Sequence, residues 1–170
     1  MLYDHQKLMS VFALAGEIVG RKKLQKMVFI AKKMKFPFQE KFEFHFYGPY
    51  SEELTLRVEE LCNIGFVKEV KEDKGGYSQY RYSITPSGHE FFESESIAIP
   101  QLKECLTYMN EQSSRFLELV STILYFEDLP QDEVIAKVAE LKRKQNYSLE
   151  EIDQAYIYID KLRKTADSHV

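Results

Sequence analysis

The stretch HFYGPYSEEL, residues 45–54, decides the fold, because an alternating aromatic run meets a helix start within ten residues. Upstream, KFEFHFY (41–47) alternates cleanly. Phe42, Phe44 and Phe46 fall on one side, and Lys41, Glu43, His45 and Tyr47 on the other. A period of two with aromatics predicts a half-buried strand. Proline cannot donate to a ladder, so Gly48-Pro49 reads as the end of that strand. Ser51 is placed to cap the following helix, and Glu52 and Glu53 suit the positive end of its dipole. Leu54, Val58, Leu61 and Cys62 then share one helical face, and Gly65 fits the position just past the C-terminus.

Working outward, Leu8, Val11, Phe12 and Ala15 predict an amphipathic first helix over about residues 4–15. In RKKLQKMVFIAKKM, Leu24, Met27, Val28, Ala31 and Met34 predict a second helix, ending near Lys35 because the residue before Pro37 is disfavoured in helix. After the HFYGPYSEEL helix, residues 66–71 and 77–84 read as two strands turned at Gly75-Gly76. TPSGHEFF follows as a short helix.

The remainder predicts three helices, over 101–126, 131–145 and 148 to about 163. Ser148 and Glu151 have capping-box spacing. The expected fold is therefore α+β and mostly α. A winged-helix-like domain with a small antiparallel sheet spans 1–96. A helical extension over 97–165 packs on it or mediates dimerisation, and a frayed tail covers 166–170. Leu102, Leu106, Met109, Phe116 and Val120 suit an intramolecular core or a homodimer seam equally.

The 170 residues are 44% hydrophobic and 29% charged, as in an ordinary globular protein. The net charge is −4, yet residues 1–50 carry +5 and the remainder is acidic. The two cysteines, Cys62 and Cys105, show no metal spacing and read as core thiols in a reducing cytosol. No apolar run reaches the roughly 18 residues needed to cross a bilayer. A cytoplasmic protein is expected, with no cofactor, metal or membrane partner. No phosphate loop, HExxH or GxSxG occurs, and the four histidines are scattered, so no catalytic residue is assigned and no enzyme is expected.

A winged-helix DNA reader needs cations on its recognition helix. SEELTLRVEEL instead carries Glu52, Glu53, Glu59 and Glu60 against Arg57 alone. On the second helix, Lys22, Gln25, Lys26, Lys32 and Lys33 share an arc centred on Phe29. An aromatic among lysines suits contact with an acidic partner. The expected contact residues are Lys22, Gln25, Lys26, Phe29 and Lys33, with Tyr50 and Glu53 as a second group. Burial of Phe29 under neighbouring helices is the competing reading.

GRKKLQKMVFIAKK, FHFYGPYSEEL and VEELCNIGFV together resemble the SocA-like antitoxin group, or Panacea domain, over roughly residues 5–85. The motif positions are Leu24, Gln25, Lys26, Phe29, Ala31, Tyr47, Gly48 and Pro49. The whole chain resembles the YwgA-type bacterial proteins. The SocA-like resemblance implies a winged-helix-like module that binds another protein, as an antitoxin or proteolytic adaptor. A winged-helix DNA-binding regulator is the alternative.

Overall fold

The computed structural model describes residues 3–95 and 97–168. Its elements run α1 (Tyr3–Ala15), β1 (Ile18–Val19), α2 (Arg21–Lys33), β2 (Glu43–His45), β3 (Gly48–Tyr50), α3 (Glu52–Asn63), β4 (Val67–Asp73) and β5 (Ser78–Ile84). The helices α4 (Pro86–Glu95), α5 (Leu102–Asn110), α6 (Ser114–Tyr125), α7 (Gln131–Leu141) and α8 (Leu149–Asp167) complete the chain. It is thus mostly helical, with a small antiparallel sheet ordered β1-β5-β4 and a separate β2-β3 ribbon.

The β4–β5 hairpin turns where the sequence asks it to, with Gly75 and Gly76 both at positive φ. β1 has only two residues, too few for an alternation to show, and joins the sheet by pairing Ile18 with Tyr82.

The central stretch differs from its sequence reading. Gly48-Pro49 does not end the sheet structure. The chain turns at Phe46–Tyr47, and Gly48–Tyr50 returns along β2, pairing Phe44 with Pro49 and His45 with Gly48. Proline is tolerated because this ribbon has only two strands, so no third strand needs its missing N–H. Phe42 and Phe44 do face inward: Phe42 packs edge-on to Phe29, and Phe44 lies against Tyr125 and Phe126.

Helix α2 is the centre of the molecule. Every side chain from Leu24 to Ala31 is buried, with α6 and α5 across one side and β3 across another. The solvent arc expected around Phe29 is therefore closed at its centre: Gln25, Lys26 and Phe29 are buried, Lys22 stays exposed, and Lys32 and Lys33 are half-buried. Phe29 is 4% exposed and touches Phe42 and Tyr125. A helical wheel drawn on α2 cannot register that α6, some ninety residues later, covers the basic face.

The C-terminal region contains four helices, not three. The span 101–126 breaks at Ser113, whose hydroxyl accepts from the Phe116 N–H and starts α6 afresh. Leu102, Leu106, Met109 and Val120 are buried in one core with residues of α1 and α2. The Ser148–Glu151 capping box forms in both directions. α8 continues past Arg163 to Asp167 with Ala166 buried. Of the tail expected to fray, residues 169 and 170 lie outside the described residues.

Candidate functional site

Leu24, Gln25, Lys26, Tyr47, Gly48 and Pro49 of the motif converge on one place, while Phe29 and Ala31 lie in the core away from it. Gln25, from the middle of α2, reaches the first residue of the next helical unit. Its amide oxygen accepts from the Ser51 N–H at 2.8 Å, and its amide nitrogen donates to the Ser51 carbonyl and to Thr55 Oγ1, each at 3.0 Å. Ser51 in turn caps α3, its Oγ accepting from the Leu54 N–H at 3.1 Å. The Tyr50 hydroxyl shares a 2.9 Å hydrogen bond with the same Thr55, and the His45 ring stacks on Tyr50 at 5.0 Å. One side-chain amide therefore fastens α2, the ribbon and α3 together.

Gly48 lies on the opposite side of that junction, with φ +97. A Cβ there would sit 3.8 Å from Glu118 Cγ and 3.9 Å from Lys26 Cε, so the ribbon rests directly on α2 and α6. The fit explains why a glycine stands here: the left-handed backbone, more than the space, requires it.

Between α2, the ribbon, α3 and β5 lies a cavity of about 400 Å³. Lys22, Gln25 and Lys26 contribute from α2, Tyr47 to Tyr50 from the ribbon, Leu54 and Val58 from α3, and Tyr82 from β5. Leu54, Val58, Tyr82 and Pro49 make its wall apolar. A second hollow of about 320 Å³ lies on the other side of Lys22, Lys26 and Tyr47, bounded by Arg115, Glu118, Gln145 and Tyr147. Those three residues form the partition between the two spaces.

Burial acts on Tyr82, whose hydroxyl it pushes up, and on Lys26. It pushes the Lys26 ammonium down to about 8; Glu118 works against that shift, while the charges of Lys142 and Lys22 add to it. Glu118 has other partners. It accepts from Gln145 Nε2 at 2.8 Å and faces the buried Lys142 ammonium at 3.6 Å. Lys142 itself donates to the Phe46 carbonyl at 3.1 Å, which holds the ribbon turn from the far end of the chain.

That turn is the exposed part. Phe46 is 74% and Tyr47 49% exposed, edge to face at 5.0 Å. The Lys22 ammonium lies 3.3 Å above the Tyr47 ring, and Lys144 stands 5.9 Å from that of Phe46. The arrangement of aromatics among lysines that the sequence places at Phe29 is thus realised at Phe46–Tyr47.

The remaining expected contact residues go elsewhere. Lys33 lies beside Glu127 at 3.6 Å. Glu53 accepts from the Lys41 N–H at 2.8 Å and pairs with Arg57 at 3.5 Å, bracing the chain before β2. Arg57 is fully engaged, meeting Glu40 and Asp4 as well. The exposed side of α3 is left with Glu52, Glu59 and Glu60. The trio of buried Glu118 and Lys142 with half-buried Gln145 is missed by sequence reasoning. Its one signal is a glutamate inside the apolar run FLELV. Among the described residues, no group of three or more His, Cys, Asp or Glu could hold a metal ion, and no helix is long and apolar enough to cross a membrane.

No protein-family model matches the chain. It is 59% identical over 164 residues to the uncharacterized protein YwgA of Bacillus subtilis (strain 168), a match covering 96% of this chain and 99% of the relative.

Proposed function

The chain belongs to the YwgA family, and on that premise we propose that it is a non-enzymatic regulatory or adaptor protein of the SocA-like kind, antitoxin or proteolytic adaptor, that works by contact with another protein. The contact surface in this reading is the ribbon turn. The observation that carries it is the exposed Phe46–Tyr47 pair ringed by Lys22 and Lys144. Aromatics are enriched at the desolvated centres of interfaces, and a cationic ring selects an acidic partner surface. The turn is held rigid by Lys142, so little ordering entropy is lost on docking. The pairing of β1 with β5 beside the β4–β5 hairpin supports reading residues 1–96 as winged-helix-like.

The alternative, a DNA-binding regulator, fares worse on charge. The helix that would enter the groove exposes three glutamates, and its one arginine is committed to Asp4, Glu40 and Glu53.

The test is a quantitative pull-down with the unaltered chain and the double variant Phe46→Ser/Tyr47→Ser. An acidic partner retained by the first and lost by the second, with no shift of duplex DNA, is expected. Salt-sensitive duplex binding at about micromolar affinity or tighter, lost on Lys22→Glu, overturns the proposal.

A further inference from the structure

We propose that the cavity beneath Tyr47 is a binding site for a small organic carboxylate with an apolar body, and that Lys26 supplies its counter-ion. The inference goes beyond the protein-contact reading and does not depend on it.

The buried lysines are not treated alike. Lys7 donates to the Pro37 carbonyl at 2.6 Å and pairs with Asp4 at 3.0 Å. Lys142 donates to Phe46 and faces Glu118. Lys26 is as little exposed as a residue, 2%, and its ammonium, the part that reaches the cavity surface, has no hydrogen-bond or ion-pair partner among the described residues. Buried polar groups are ordinarily satisfied, so an unpaired ammonium on a cavity wall calls for a ligand.

The shape and lining of the space fit the same ligand. About 400 Å³ is at the low end for small-molecule sites and does not admit an extended peptide. Apolar side chains surround one cationic end, the usual pattern of a mostly hydrophobic pocket with few orienting groups. The other charged residues lining it are occupied or solvated. Arg21 pairs with Glu69 at 3.3 Å, Lys22 sits on Tyr47, His45 stacks on Tyr50, and Glu59 is exposed.

The charge matches as well. One buried positive charge balances a monoanion. A phosphate would bring nearly two negative charges into the same apolar surroundings, at a higher desolvation cost.

The experiment uses the full chain and titrates phenylacetate, octanoate and the neutral phenylacetamide, followed by ligand-observed NMR. Phenylacetate is expected to bind at least about ten-fold tighter than phenylacetamide. Lys26→Met should bring acid and amide within about two-fold of each other, and Lys33→Met, at the Glu127 side of α2, should leave the preference intact. Equal binding of acid and amide by the unaltered protein, a preference that survives Lys26→Met, or no binding of either acid at about 10 mM each overturns the proposal. The comparison of acid with amide needs no variant, so it decides the matter even where a substitution fails to fold.

Discussion

Gln25 and Ser51 hold each other through both polar ends of one amide, oxygen to N–H at 2.8 Å and nitrogen to carbonyl at 3.0 Å. Both residues are buried, so neither backbone group of Ser51 has water to fall back on. Gln25→Leu leaves the Ser51 N–H unpaired and should cost about 2 kcal/mol in urea unfolding, with the slope m unchanged. Gln25→Glu keeps the acceptor but faces the Ser51 carbonyl with a second oxygen, and should rescue little of that loss.

Lys26→Met should stabilise the protein. Burial holds the Lys26 ammonium near 8 in the folded chain against 10.5 when unfolded. Below about 8 both states are charged there, and the folded state bears the full cost of the buried charge, on the order of 3 kcal/mol. Between about 8 and 10.5 the unfolded chain holds more protons, so the stability of the unaltered protein rises with pH across that window. The advantage of the Met variant, measured as a difference in urea midpoint, should be greatest at pH 7 and fade towards pH 10.5.

Two glycines should respond unequally to alanine. At Gly48 the added Cβ meets ordinary van der Waals neighbours, and the penalty is the backbone conformation at φ +97, about 1 kcal/mol. At Gly88 the first turn of α4 rests on Phe66, the residue before β4, and a Cβ would collide with the Phe66 carbonyl oxygen. Gly88→Ala should lose about 3 kcal/mol, because a main-chain atom has to move. Thermal unfolding of the two variants side by side checks the order.

Neither thiol should react readily. Burial pushes both Cys62 and Cys105 up to about 11, with nearby glutamates adding to the effect. At pH 7.5 their alkylation by iodoacetamide should be about a hundred-fold slower than that of a free peptide thiol, and urea should restore the rate.

Sequence legibility is high where the signal is local. The caps at Ser51 and Ser148 and the Gly75-Gly76 turn are each written within four residues, and all three form as read. It fails where distant segments decide. Whether Phe29 is exposed depends on α6, and whether Gly48–Tyr50 ends a strand or begins one depends on the turn at Phe46–Tyr47 and the free edge of a two-stranded ribbon. Ser113 divides one apolar periodicity into two helices because a capping hydroxyl outweighs a continuing hydrophobic pattern. For the site, Gln25, Lys26 and Tyr47 to Pro49 stand out as motif positions. The residues that satisfy the ribbon from behind, Glu118, Lys142 and Gln145, have no sequence proximity to it.

The hydrogen bond from Lys142 to the Phe46 carbonyl spans 96 residues of chain. During synthesis the aromatic turn leaves the ribosome long before its fastening lysine does. A chain paused before residue 142 has the Phe46–Tyr47 tip but not the ammonium that sets its posture. In the proposed reading, the contact surface is therefore completed only once residue 142 has been made, and a chain that stops short of it offers the turn without its fastening.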